Sequence, residues 1–173
     1  MVRTPTLRLA AALLLAGGVL ITGSAHAQWR VAQETPSGTQ NRINVAIVEN
    51  DSGHSLRLYN DETQIVRGIF AIRGGFDTLD PGVCPTYRVD EREPRRVVFE
   101  DQRCRILLKH VEFTLGKTGF GRNRQLQRIM NGDNIVFRYR LGRGNYRETV
   151  FTLTGSKYAL TLAVEDREVG FDE

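Results

Sequence analysis

From residue 43 onward, apolar side chains recur mostly at every second position. Ile43, Val45 and Ile47 alternate with Asn44, Ala46 and Val48, and the turn-forming residues Asn50-Asp51-Ser52-Gly53 follow. Ser55–Tyr59 returns as a short strand, so a first hairpin is expected. Ile65–Ile72 reads as a third strand, apolar on both faces apart from Arg67, and it stops at Gly74-Gly75. After the Pro81-Gly82 turn come two short strands, Thr86–Val89 and Arg95–Glu100. Arg105–Leu115 is longer and loses phase in its middle. Ile106, Leu108 and His110 share one face, whereas Val111, Phe113 and Leu115 carry the apolar side afterwards. A bulge near Lys109-His110 would reconcile the two halves.

Gly116–Gly121 is a glycine-rich turn, and the period then changes. In Arg122–Met130, Leu126, Ile129 and Met130 stand at i, i+3 and i+4, and Asn131-Gly132 can end a short helix. Alternation resumes with Ile135, Phe137, Tyr139 and Leu141 against Val136, Arg138 and Arg140. A Gly142-Arg143-Gly144-Asn145 turn leads into Tyr146–Leu153, the clearest hairpin in the chain. Tyr158, Leu160, Leu162 and Val164 predict a last strand or a mixed turn, and Glu165–Glu173 an acidic, frayed end. Eight to nine short antiparallel strands and one short helix predict an all-β protein, an antiparallel β-sandwich or a small barrel.

The first 27 residues follow a different rule. Two arginines, Arg3 and Arg8, precede an apolar run from Leu9 to Ile21, and Ala25-His26-Ala27 supplies the small-x-small exit of a secretory signal peptide. The run is shorter than the roughly 20 residues needed to cross a bilayer. The expected division is therefore 1–27 as signal peptide and 28–173 as one sandwich domain, with no integral span after cleavage. The 24 basic residues fall to 22 without Arg3 and Arg8 while all 20 acids stay, so the mature chain carries a net charge of +2. That modest charge and an exported location argue against nucleic acid as a partner. Cys84 and Cys104 both lie in the mature part, and in an oxidising compartment one structural disulfide is the simplest reading. Their spacing is neither C-x-x-C nor that of a zinc site.

Motifs that would signal catalysis fail on inspection. Gly116-Lys117-Thr118 looks like the end of a P-loop, but Val111 occupies the required first glycine position. Gly119-x-Gly121 leads to Arg124 where a dinucleotide fingerprint needs its third glycine. No G-x-S-x-G occurs. His54 is expected to be a surface turn residue and His110 a satisfied sheet histidine, and Asp51, His54 and Ser55 stand too close along one turn to share a face. Neither a cofactor nor a metal is expected, and no catalytic residue is assigned.

Arginine is the more promising chemistry. Lysine occurs in the mature chain only at 109, 117 and 157. Arg122, Arg124 and Arg128 line the polar side of the short helix, Arg138 and Arg140 share one strand face, Arg143 sits in the turn, and Arg147 returns on the partner strand. Guanidinium forks grip phosphate and carboxylate in two-point fashion, so this set is the candidate surface for an anion or an acidic partner. A solvated, charge-balanced surface is the plain alternative. Trp29, directly after the expected cleavage point, is read as a packing residue that pins the new N-terminus.

The order of these pieces resembles the invasion-associated locus B family of bacterial exported proteins. The resemblance rests on the Trp29-Arg30-Val31 strand, on Cys104-Arg105-Ile106-Leu107-Leu108, on the helix Leu126–Gly132, and on the strand Asn134–Tyr139. It closes with Phe151–Leu160, and it is densest over Cys104–Leu160. It implies a periplasmic or surface-associated β-sandwich with no known catalytic centre. The expected function is thus non-enzymatic binding in the bacterial envelope, to a protein partner or an anionic component. An envelope-directed hydrolase and a periplasmic protein inhibitor are the alternatives.

Overall fold

The computed structural model describes residues 28–36, 39–99, 102–118 and 123–165. The expected signal peptide, the Gly119–Gly121 turn, Arg122 and the end of the chain after Glu165 lie outside the described residues. Twelve strands and two short helices follow in chain order: β1 Arg30–Glu34, β2 Ile43–Glu49, β3 Ser55–Asn60, β4 Ile65–Ala71, β5 Thr86–Val89, β6 Arg95–Arg96, β7 Val98–Phe99, β8 Gln102–Arg103, β9 Arg105–Leu107, β10 His110–Lys117, α1 Arg124–Asn131, β11 Asn134–Arg140, β12 Tyr146–Thr152 and α2 Ser156–Leu160. A single π-helical turn, Thr161–Glu165, continues α2.

The strands form two antiparallel sheets. The larger runs β1-β2-β3-β4-β10-β7-β8, with β9 also paired to β10, and the smaller runs β12-β11-β5-β6. Both orders are open, so the fold is a sandwich and not a closed barrel. The sheets meet through an aromatic core. Phe70 of β4 stacks on Phe137 of β11 with ring centroids 4.6 Å apart, and Phe113 and Phe151 pack around the same ring. Phe113 can reach it because Gly68 of β4 has no side chain: a Cβ there would stand 2.3 Å from the Phe113 ring.

The smaller sheet leaves part of the larger one uncovered, and α2 with its π-turn fills that space. Ala159, Leu160, Ala163 and Val164 join the core, while Asn44 and Asn60 donate to the carbonyls of Leu162 and Val164. The segment expected as a last strand or a mixed turn is thus helical. Its buried positions, Ser156, Ala159, Leu160, Ala163 and Val164, follow the period of a helix, and Tyr158 is exposed. Reading alternate residues from Tyr158 catches Leu160 and Val164 but misses Ser156, Ala159 and Ala163. Helix α1 matches its expected position. Asn123 accepts from the N–H groups of Gln125 and Leu126 as its N-cap, and Leu126, Ile129 and Met130 are buried.

Two further expectations change in the structure. The phase slip in Arg105–Leu115 is a chain reversal and not a bulge: β9 and β10 pair antiparallel, Leu107 opposite His110, around Leu108-Lys109. Leu108 adopts φ 44°, which makes this tight hairpin possible. The actual irregularity in β10 lies between Thr114 and Gly116. Arg95–Glu100 is a corner instead of one strand. β6 belongs to the small sheet, Val97 is buried, and β7 belongs to the large one. Beside this corner Cys84 and Cys104 form a disulfide, joining the entrance to β5 with the link between β8 and β9. Trp29 ties the sheets at another point, its indole N–H donating to the Thr152 carbonyl at 2.8 Å.

Candidate functional site

Cross-strand register decides which of the arginines can act together, because residues directly opposite one another project to the same side of a sheet. Arg147 faces Tyr139, whose ring is in the core, so Arg147 belongs to the inner side and lies at one end of the sandwich. Arg138 and Arg140 belong to the outer side. Arg143 sits in the exposed β11–β12 turn. Arg124 and Arg128 lie on α1, beside the opposite end of β11. The six of these arginines that lie among the described residues, Arg124, Arg128, Arg138, Arg140, Arg143 and Arg147, are therefore spread over more than one surface.

Register assembles another set. Val136 pairs with Arg88, Arg138 with Thr86, and Thr86 with Arg96, so Arg88, Arg96, Arg138 and Arg140 share the outer face of the small sheet. The exposed Tyr146 ring is flanked by two of them, with the guanidinium carbons of Arg138 and Arg140 at 5.0 and 5.8 Å from its centroid. Two acids meet this face. Glu148 stands opposite Arg138, and Asp80 lies 3.5 Å from the Arg140 Nε. Arg88 and Arg96 escaped the sequence reading because they sit on short strands far away along the chain. Their polar positions within those strands were the available signal.

The histidines are structural in their immediate contacts. His54 Nδ1 accepts the Arg73 backbone N–H at 2.8 Å, which places the imidazole proton on Nε2. Nε2 then donates to the Tyr139 hydroxyl at 3.2 Å. The ring also stands edge-on to Phe70 and Tyr139, so His54 is wedged between the sheets and is more than a surface turn residue. Burial, with the Arg73 charge beside it, holds its pKa below the usual 6.5. Burial raises that of the Tyr139 hydroxyl, with the Arg147 charge acting against this and that of Asp77 adding to it. Both groups are thus neutral at pH 7. His110 lies on the outer face of the large sheet with Nε2 3.9 Å from Glu112. Neither imidazole is hydrogen-bonded to a serine hydroxyl or a carboxylate, as a hydrolase triad would require.

That outer face of the large sheet also carries buried polar groups. Glu112 accepts from Arg105 at 3.3 Å. The Tyr59 hydroxyl is pushed up to about 12, by burial first and then by the Glu112 charge. Asp61 would be raised by burial, but hydrogen bonds from the Ile65 N–H, Arg67 and Thr63 outweigh it and keep the carboxyl below its ordinary range. The Asp61 contacts close the β3–β4 turn, whereas Glu112 on β10 keeps one buried oxygen, Oε1, without a hydrogen-bond partner. Among the described residues no group of three or more His, Cys, Asp or Glu side chains could hold a metal ion, and no helix is long and apolar enough to cross a membrane.

No protein-family model matches the chain, and no curated protein matches its sequence. Among solved structures, the chain is similar to invasion associated protein B from Bartonella henselae. The identity is 13% and the TM-score 0.57, over 84% of this chain and 97% of that one. At this identity the likeness is one of fold.

Proposed function

We propose that this is an exported, non-enzymatic protein of the bacterial envelope that uses the outer face of its small sheet to bind an anionic component. The observation that carries the reading is the grouping of Arg88, Arg96, Arg138 and Arg140 on one face, met by Glu148 and Asp80. A flat sheet surface suits an extended or repeating anion, since guanidiniums held on a rigid scaffold lose little freedom on binding. The exposed Tyr146 between two guanidiniums adds an apolar surface to the same patch. The disulfide supports an oxidising, exported location, as does the N-terminal segment. The fold likeness to a protein described as invasion associated agrees with an envelope setting.

The test is sedimentation of residues 28–173 with vesicles containing phosphatidylglycerol, and in parallel with vesicles of phosphatidylcholine alone. Binding is expected to the anionic vesicles only. It should disappear near 1 M salt, where screening acts within about 3 Å. Replacing Arg88, Arg138 and Arg140 by Glu should abolish it, whereas Arg124→Glu with Arg128→Glu should not. Equal sedimentation of the first variant and the parent overturns the reading.

A further inference from the structure

At the end of the sandwich where the β2–β3 turn, the segment after β4 and the β11–β12 hairpin converge, the surface folds into a cavity of about 360 Å³. This falls within the usual range for small-molecule sites, roughly 300–1,000 Å³. Its rim carries Phe76, the most exposed large apolar side chain among the described residues at 98%. A ring left this bare contributes nothing to the core, yet its loop is held in place. Ile72 N–H donates to the Lys109 carbonyl at 2.9 Å, Leu79 N–H to that of Leu108 at 2.6 Å, and the Lys109 ammonium to that of Gly75. The β9–β10 hairpin thus braces the segment that presents Phe76.

The walls below the ring are polar and of both signs. Arg73 and Arg147 contribute two positive charges, and Asp77 and Glu148 two negative ones. Such a lining gives no net preference for a small anion, because any anion that meets a guanidinium here also has carboxylates nearby. A hydrocarbon chain would strip water from four charges without replacing it. A neutral polyhydroxylated ring meets both demands. Each hydroxyl donates to a carboxylate and accepts from a guanidinium, and the C–H face of the ring can lie on Phe76. The Tyr139 hydroxyl adds a group of fixed role: it accepts the His54 Nε2 proton, so its own hydrogen remains to be donated.

We propose that this cavity binds a neutral sugar ring, stacked on Phe76 and held by hydrogen bonds to Arg73, Asp77, Arg147 and Glu148. Glu148, opposite Arg138, stands where this cavity borders the arginine face, but Arg88, Arg96, Arg138 and Arg140 do not line the cavity, and Arg147 lies on the inner side of the small sheet.

Saturation-transfer NMR on residues 28–173 tests this with a panel of neutral probes, namely glucose, galactose, N-acetylglucosamine, maltose, cellobiose, lactose and chitobiose. Inorganic phosphate, followed by phosphorus line width, and trialanine are run alongside. At least one sugar is expected to receive saturation, most strongly at its ring C–H protons. Phe76→Ala should weaken that sugar's binding by at least about tenfold, as truncation of a central anchor does. Its side chain is fully exposed, so this variant keeps its fold. Asp77→Asn should also weaken binding, while the Arg88/Arg138/Arg140→Glu variant should retain it. Silence from every sugar at millimolar concentration overturns the proposal, as does undiminished binding by Phe76→Ala. Stronger binding of phosphate or trialanine does so too, and would assign the cavity to an anion or a peptide.

Discussion

His54 shows how one side chain joins two sheets through its tautomer. Its Nδ1 must be unprotonated to accept the Arg73 N–H, and Nε2 must carry the proton given to Tyr139. The groups facing it are Arg73 from the segment after β4 and Tyr139 from β11, with Arg147 and Asp77 near the Tyr139 hydroxyl. Because the folded pKa is lowered, the unfolded chain takes up the proton first as the medium becomes acidic. The contribution of His54 is full above about pH 6.5 and is lost as pH falls through that value toward the lower folded pKa. Melting temperature measured from about pH 7.5 to 5 should therefore fall more steeply for the parent than for His54→Gln. Parallel curves would show that the imidazole does not sense this range. The position of His54 in a turn is legible in the sequence. Its partners are 19 and 85 residues away, and no local pattern announces them.

Among the elements, the β9–β10 hairpin is one that period counting misread. A slip in phase and a reversal of direction both shift the apolar positions by one, so the pattern alone does not separate a bulge from a two-residue turn. Leu108 reveals the turn only in three dimensions, by its φ of 44° and its 74% exposure. An L-residue in that region costs about 1–2 kcal/mol, which glycine avoids. Glycine also frees the unfolded chain, which offsets roughly 0.4–1 kcal/mol of that strain, so Leu108→Gly should raise stability by about 0.5 kcal/mol in urea unfolding, because the exposed side chain has little packing to lose. A destabilised variant would mean that Leu108 makes contacts beyond those of the hairpin. Segment Ser156–Glu165 failed for a related reason. Its run of apolar and small residues fits period two and period 3.6, and only the open side of the large sheet selects the helix.

Across the whole molecule, the disulfide and the corner beside it hold together two sheets that each end, on this side, in a strand of only two residues, β8 and β6. β6, β7 and β8 have few ladder bonds of their own, and Cys84–Cys104 closes the 20-residue separation that contains them. Replacing both cysteines by serine should lower stability by roughly 3 kcal/mol, the scale of loop-closure entropy for this length. The check is urea unfolding of parent and variant without reductant. Equal midpoints would mean that the corner is held by packing at Val97 and by its N–H bond to the Pro85 carbonyl.

The period of two, the turn residues and the single change to a helical period identify an all-β chain, because they are local and each strand declares its own buried face. They also place β2, β3, β4, β5, β11, β12 and α1 to within about two residues. Which faces meet was decided only by tertiary structure. The sequence groups arginines by nearness along the chain, from 122 to 147. Register regroups them, sending Arg147 inward to the end cavity and bringing Arg88 and Arg96 beside Arg138 and Arg140. The physical reason is that side-chain direction alternates at every residue, while strand pairing joins segments about fifty residues apart. A functional surface on a sandwich is a property of pairing, and pairing is set by how the whole core packs.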